Sequence, residues 1–119
     1  MNKKGVIYEE QAALFLKDAG FEILDRNWSC PMGELDIVAR KEGTVAFIEV
    51  RARSSSEYGL PAETVNRAKR AKIVKSAMAY LKARRPGADT YRFDVIGIVP
   101  GQAPEHIEDA CSADGFGFF

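Results

Sequence analysis

The sequence predicts an α/β fold in which a mixed β-sheet is flanked by two helices. Three observations support this prediction: two amphipathic helical stretches, a strong β-hairpin between them, and two strand-like segments that follow the second helix. Hydrophobic residues make up 46% of the chain and charged residues 29%, the mixture of an ordinary globular protein. We therefore expect residues 1–119 to form one domain.

The first helix is predicted over residues 6–18. Its apolar positions recur at helical spacing and form one face, made of Tyr8, Ala12, Phe15 and Leu16. Gly20 is a suitable left-handed residue to end the helix. Residues 21–28 then read as a strand, and residues 30–33 interrupt it with Pro31 and Gly33.

The strongest hairpin signal comes from residues 35–39 and 44–51, two β-rich runs on either side of the turn sequence RKEG at 40–43. Residues 45–48 are apolar without alternation, which predicts a strand covered on both faces. This second strand of the hairpin is therefore expected at the centre of the sheet.

The second half of the chain predicts a loop over residues 54–61, a helix over 62–85, and strands over 91–99 and 105–110. Pro86 and Gly87 end the helix. Its apolar stripe consists of Ile73, Ala77, Tyr80 and Leu81. The predicted order is therefore α-β-β-β-α-β-β.

Several classes of protein are disfavoured by composition. No window approaches the roughly 18 apolar residues of a membrane span, and no apolar signal core follows the N-terminus, so we expect a cytoplasmic protein without membrane association. Cys30, Cys111 and His106 are too few and too scattered for a Cys/His zinc site. We interpret both cysteines as free thiols and His106 as structural or exposed.

Charge is balanced overall but unevenly distributed. The chain has 17 basic and 17 acidic residues, yet residues 51–92 contain eleven basic side chains against three acidic ones. Such a stretch can bind polyanions locally, although charge alone favours an ordinary solvated helix face. Three phenylalanines lie among the last four residues, at positions 116, 118 and 119. Phe116, Phe118 and Phe119 either pack against the core or form an exposed tail.

The predicted hairpin carries the charged residues that are candidates for a catalytic or metal-binding site. If it turns in the middle of residues 40–43, Asp36 lies opposite Glu49 and Glu34 lies opposite Arg51, all on one face. Opposed Cβ atoms are about 4.5–5.5 Å apart, so the two carboxylates repel each other. A divalent cation, a shared proton or the Arg51 guanidinium could each offset this repulsion. A strand-edge ion cluster without function explains the same residues, and a bulged turn would break the pairing.

Two further residues have two possible interpretations each. Glu9 on the first helix is either a solvated surface acid or an additional carboxylate at the site. Lys69 precedes Ile73 by one helical turn, so it either leans toward the sheet or extends into solvent.

These motifs resemble the YraN-like family of uncharacterised bacterial proteins. That family is similar to Holliday junction resolvases and belongs with the PD-(D/E)XK nuclease superfamily. The resemblance covers about residues 5–110. It is carried by EEQA at 9–12, GFEILDRNW at 20–28, GELDIVA at 33–39, FIEVRAR at 47–53, Lys69, AYL at 79–81, RFDV at 92–95 and HIE at 106–108.

The resemblance implies a restriction-endonuclease-like three-layer α/β/α fold with a central mixed sheet. It implies a metal-dependent endonuclease that hydrolyses branched or single-stranded DNA with Mg²⁺ or Mn²⁺. Asp36 and Glu49 would hold the metal with the Val50 carbonyl, Glu9 would assist, and Arg51 would steady the phosphate. Side chains expected to contact nucleic acid are Arg53, Lys69, Arg70 and Lys72. A homodimer is expected by analogy with the resolvases.

Two positions depart from the family pattern. Arg51 stands where the superfamily has lysine, and Tyr8 stands where relatives often have glycine before the helix acid. Arginine can clamp a phosphate but does not act as a base, because it stays charged. Two alternatives therefore remain beside the nuclease: a nucleic-acid-binding module of the same fold with impaired catalysis, and an interaction protein with no nucleic-acid role.

Overall fold

A computed structural model describes residues 3–52 and 67–111 of the chain. The helices and strands follow the predicted order, with α1 (Lys3–Asp18), β1 (Glu22–Cys30), β2 (Gly33–Lys41), β3 (Thr44–Ala52), α2 (Arg67–Arg84), β4 (Thr90–Ile98) and β5 (Glu105–Cys111). The predicted loop over 54–61 and the first five residues of the predicted second helix lie outside the described residues.

The five strands form one mixed sheet in the order β1-β2-β3-β4-β5. Strands β3 and β4 are parallel, and the other neighbouring pairs are antiparallel. Glu42 and Gly43 both have positive φ, of 50° and 80°, as a two-residue type I′ turn requires. The turn sets the β2–β3 ladder from Lys41↔Thr44 to Ile37↔Ile48, which confirms the predicted register.

The two helices cover opposite faces of the sheet. Helix α1 packs through Ala12 and Leu16 against one face of the sheet, a cluster that includes Ile37, Ile48 and Ile96. On the other face α2 buries the predicted stripe, in a cluster that includes Ile73, Ala77, Tyr80, Val38, Phe47 and Phe93. Residues 45–48 of β3 are at most 2% exposed, because both faces of this strand are covered as predicted. The α/β/α fold class is therefore confirmed.

The β1–β2 connection is tighter than the sequence indicated. The prediction ended one strand at residue 28 and began the next at 35. In the structure β1 extends to Cys30 and β2 begins at Gly33, so that Pro31 and Met32 alone connect a paired hairpin. Within the described ranges, neither helix is at once long and apolar enough to cross a lipid bilayer.

Candidate functional site

The two predicted metal carboxylates lie where β2 and β3 separate. Asp36 and Glu49 are the next residues on each strand after Ile37↔Ile48, the last pair of the ladder. Beyond that pair, the Val50 amide donates a hydrogen bond of 2.9 Å to Oδ2 of Asp36. Strand β3 meanwhile stays paired with β4 as far as Ala52. The carboxylate of Asp36 thus accepts a hydrogen bond from a β3 amide beyond the end of the β2–β3 ladder.

A small cavity of about 190 Å³ opens at this separation. It is lined by Gly33, Glu34, Asp36, Glu49, Lys72 and Ile73. The cavity brings three acids of the hairpin together with an exposed lysine of α2.

Gly33 allows α2 to approach the hairpin closely. A Cβ atom at this position would lie 3.1 Å from Oγ of Ser76 and 3.9 Å from Cβ of Lys72. The residue also has a φ of 149°, where side chains are strained. Glycine at this position therefore avoids a close contact with Ser76 and lets α2 pack against the start of β2.

The environment of Asp36 opposes its negative charge. Burial and, after it, the charge of Glu49 are the main causes that raise the pKa of its carboxyl to about 7. Glu9 and Glu34 act in the same direction, while the hydrogen bond from the Val50 amide lowers the pKa. Near neutral pH the folded chain alone therefore leaves Asp36 only partly ionised.

Glu9, on α1 at the other side of the sheet, acts electrostatically on Asp36. Its residue is 7% exposed, and its Oε1 atom is buried without a hydrogen-bond partner among the described residues. A buried carboxylate oxygen that lacks a donor carries a substantial desolvation cost. The interpretation of Glu9 as a solvated surface acid is therefore wrong, and its charge acts on Asp36.

Arg51 contacts Glu49. Its Nη2 atom lies 3.6 Å from Oε1 of Glu49, and the two side chains are 20% and 14% exposed. Nε and Nη2 of Arg51 are buried and make no hydrogen bond within the described part of the chain. The expected opposition of Glu34 and Arg51 is not part of the β2–β3 ladder, because the strands have separated before that point.

The residues predicted to contact nucleic acid are only partly described. Lys72 lines the cavity, and Arg70 is half-buried on α2. Lys69 lies on α2, but its side chain is outside the described atoms, and Arg53 lies outside the described residues altogether.

The donor set bears on which metal the site could hold. Among the described residues, no three side chains of the His, Cys, Asp and Glu types are arranged to hold a metal ion. Asp36 and Glu49 provide two carboxylates, and Val50, a half-buried residue, provides a backbone carbonyl. Mg²⁺ usually binds one or two carboxylates together with waters and substrate phosphates, so these residues fit a hydrated ion rather than a closed cage.

Sequence reasoning missed a second buried acid, Asp94 on β4. Its carboxylate receives bonds from Nε of Arg92 at 3.0 and 3.1 Å and from the Asp109 amide at 2.9 Å. Nε2 of His106 lies 2.7 Å from its Oδ2 atom, which confirms that His106 is structural. Burial by itself raises the pKa of Asp94, but these bonds outweigh burial and lower it. The available signal was the pair Arg92 and Asp94 on one face of an otherwise apolar strand.

The model of a family described as "Uncharacterised protein family UPF0102" matches residues 8–98. The chain belongs to this family. UPF0102 proteins of Myxococcus xanthus (strain DK1622) and Moorella thermoacetica are 45% and 44% identical to it over 91 and 96 residues. These alignments cover 76% and 81% of this chain and 72% and 80% of the relatives. A UPF0102 protein of Persephonella marina is 39% identical over 111 residues, covering 93% of this chain and 95% of the relative.

Membership of the UPF0102 family agrees with the resemblance to YraN-like proteins. The region that matches the family contains Glu9, Asp36, Glu49, Lys72 and Asp94. The family description names no activity, so function has to be argued from the site itself.

Proposed function

We propose that the chain is a metal-dependent endonuclease that hydrolyses phosphodiester bonds of branched or single-stranded DNA. The observation that carries the proposal is the pair Asp36 and Glu49 at the cavity where the hairpin separates, with the charge of Glu9 acting on Asp36. A pKa of about 7 for Asp36 means that the folded chain by itself opposes full ionisation of the cluster. Clusters of this kind are typical of functional sites.

A divalent cation would relieve two unfavourable features of the site at once. It would offset the repulsion that helps to raise the pKa of Asp36, and it would supply positive charge near the buried Oε1 atom of Glu9, which has no hydrogen-bond partner among the described residues. Asp36, Glu49 and the Val50 carbonyl would hold the ion, and Mg²⁺ or Mn²⁺ suits these oxygen donors. When bound, the ion would act as a Lewis acid on the scissile phosphate.

The chain's own cations would bind the substrate. The Nε and Nη2 atoms of Arg51 have donor capacity that the described residues do not use, and a phosphate is the anion that a guanidinium recognises best. Arg51 would hold the phosphate and stabilise its charge without accepting a proton. Lys72, exposed at the same cavity, would contact an adjoining phosphate.

The direct test is cleavage of labelled single-stranded and four-way-junction DNA with Mg²⁺ or Mn²⁺ and with a chelator. Asp36→Asn and Glu49→Gln should each abolish metal-dependent cleavage. Glu22→Gln is the matched control, because it removes an acid of the same sheet that is 64% exposed and paired with Arg40. Cleavage that persists in both site variants, or that does not need metal, would contradict the proposal.

The second candidate is a nucleic-acid-binding module without catalysis, and the specific observation that favours it is arginine at position 51. Under this function the protein binds DNA and does not cleave it. Lys72→Ala should then weaken binding on all sequences and reduce the slope of log affinity against log salt by about 1. Lys17→Ala, an exposed lysine of α1, should leave binding unchanged. A protein that neither binds nor cleaves DNA would exclude both functions.

A further inference from the structure

An apolar groove of about 640 Å³ lies between α2 and β4, apart from the acid cavity at Asp36 and Glu49. The buried ring of Phe47 lines it together with two exposed side chains. Met78 on the α2 wall is 66% exposed, and Tyr91 on the β4 wall is 42% exposed. Large apolar side chains exposed beside a concave apolar surface are typical of a binding site.

The β4 wall of the groove is suited to a flat ring. Tyr91 lies nearly parallel to Phe47, with 22° between the ring planes and 6.4 Å between the centroids. Phe47 is 2% exposed and also contacts the ring of Phe93, at 5.5 Å between centroids. Buried rings therefore help to fix the orientation of Tyr91. An exposed aromatic ring held in this way is the kind of surface on which nucleobases stack.

A row of side chains on α2 joins the groove to the acid cavity. Lys72, Lys75 and Met78 follow one another at intervals of three residues, so they are neighbours on the helix surface. Lys72 lines the acid cavity, whereas Lys75 and Met78 line the groove. The row rises by about 9 Å along the helix axis. A DNA strand that enters the acid cavity would therefore reach the groove within a few nucleotides.

The charge along this row complements a phosphate backbone. Helix α2 contains no acidic residue, and Lys72 and Lys75 are both exposed. Arg92 also lines the groove, but its guanidinium is already paired with Asp94. Asp109 of β5 is an acid in the lining, so the positive charge lies along α2 rather than inside the groove. This distribution suits an uncharged base in the groove and phosphates beside the two lysines.

We propose that the groove between α2 and β4 binds an unpaired nucleobase of a DNA strand whose backbone follows Lys72 and Lys75 to the acid cavity. The base stacks on Tyr91 and contacts Met78 on the other wall. The bases of a duplex are paired and stacked on one another, so they are not free to enter the groove. This inference rests on the DNA binding proposed above, and it narrows the substrate to DNA with a single-stranded segment beside the cleaved bond.

The test is the binding of a short single-stranded oligonucleotide that contains the fluorescent base 2-aminopurine, measured with the full chain in chelator so that no strand is cut. Stacking on Tyr91 should quench the fluorescence. Tyr91→Ala should remove the quenching and weaken binding about fivefold or more. Met78→Glu, at an exposed helix position, should also weaken binding. Leu14→Glu is the matched control: it adds the same charge at an apolar side chain of α1 that is 52% exposed, and it should change neither signal.

An abasic strand of the same length separates contacts to the bases from contacts to the phosphates. The unmodified protein should bind it more weakly than the normal strand, and Tyr91→Ala should weaken that binding no further. An equal loss on both strands would assign Tyr91 to the backbone and overturn the inference.

The outcomes also separate this inference from the nuclease proposal. If folded Tyr91→Ala and Met78→Glu bind and quench as the unmodified protein does, the nucleobase site is wrong, whereas metal-dependent cleavage that Asp36→Asn abolishes would still support the nuclease. An equal loss in Leu14→Glu would overturn the nucleobase site as well, because added charge alone would then explain the effect. A protein that binds no single strand would overturn both proposals.

Discussion

Two aspartates in the same sheet have opposite electrostatic environments. Asp94 on β4 has a fully buried side chain surrounded by donors, and its pKa is lowered. Asp36 on β2 is largely buried and feels the charges of Glu49, Glu9 and Glu34, and its pKa is raised to about 7. Burial opposes ionisation in both cases; the donors around Asp94 reverse its effect, whereas the acids near Asp36 add to it.

Asp94 is therefore an acid whose ionised form is stabilised by its neighbours, whereas Asp36 is an acid whose ionised form is destabilised by its surroundings. At Asp94 the chain supplies the guanidinium of Arg92, the imidazole of His106 and a backbone amide, so that the site is complete without a ligand. At Asp36 the described residues supply one amide and several like charges. Uncompensated negative charge of the second kind is where a divalent cation would bind.

The largest expected effect is the loss of stability when Asp94 is replaced. Asp94→Ala should lower the free energy of unfolding by about 3–5 kcal/mol, because Arg92 and His106 would lose their buried partner. Denaturant titration at pH 7 measures this loss. A loss below about 1 kcal/mol would mean that the cluster is not the structural element described above.

Binding of a divalent cation at Asp36 and Glu49 should raise the free energy of unfolding by a smaller amount. At a concentration of a hundred times its dissociation constant, Mg²⁺ or Mn²⁺ should add about 2.7 kcal/mol to the free energy of unfolding. The gain should be larger at pH 8 than at pH 6, because the ion competes with the proton on Asp36, whose pKa is about 7. Thermal unfolding with metal and with chelator measures both effects. An equal gain in Asp36→Asn would contradict the assignment of Asp36 as a ligand.

Removing the charge of Asp36 should stabilise the metal-free protein. The folded-state pKa of about 7 exceeds the ordinary value of 3.8, so the folded state holds a proton that the unfolded state has released. Stability from this group therefore falls as pH rises from about 4 to 7. Asp36→Asn should raise the free energy of unfolding at pH 8 by more than about 1 kcal/mol, the equivalent of one pKa unit. Chemical denaturation from pH 4 to 8 in chelator measures this, and a destabilised variant would refute it.

Below about pH 4 the free energy of unfolding should change with pH in the opposite direction, and Asp94 should be the group responsible. This part of the pH profile is its acid limb. A lowered pKa contributes stability that is present above the ordinary value of 3.8 and is lost as pH falls further. Asp94→Asn should flatten this acid limb and leave the decline between pH 4 and 7 in place. Denaturation curves of the two Asn variants side by side measure the contrast. If both variants changed the same pH range, the contrast between the two sites would be wrong.

The smallest expected effect is at the rim of the Asp94 cluster. Nη2 of Arg92 also pairs with Glu108 at 2.9 Å, but Glu108 is 57% exposed. Glu108→Gln should therefore cost no more than about 1 kcal/mol, and the cost should shrink at high salt. The free energy of unfolding at low and high salt checks this. A loss as large as that of Asp94→Ala would place Glu108 within the buried network.

Local sequence determined the elements and the register of the hairpin. The 3.6-residue spacing of apolar side chains defined the buried faces of α1 and α2, as Leu16 and Ala77 illustrate. The turn at Glu42 and Gly43 set the pairing of β2 with β3, and strand periodicity then directed Asp36 and Glu49 to one cavity. These features depend only on neighbours in the sequence, so they can be inferred from it.

Tertiary structure alone decided how each acid is surrounded. Glu9 acts on Asp36 because α1 packs over the sheet, and Lys72 lines the cavity because Gly33 lets α2 come close. His106 reaches Asp94 because β5 pairs with β4. Each contact joins residues far apart in the chain, and its geometry depends on helix packing and on the point where β2 and β3 separate. No local pattern encodes those distances, so the sequence located the acids but did not determine which would be compensated.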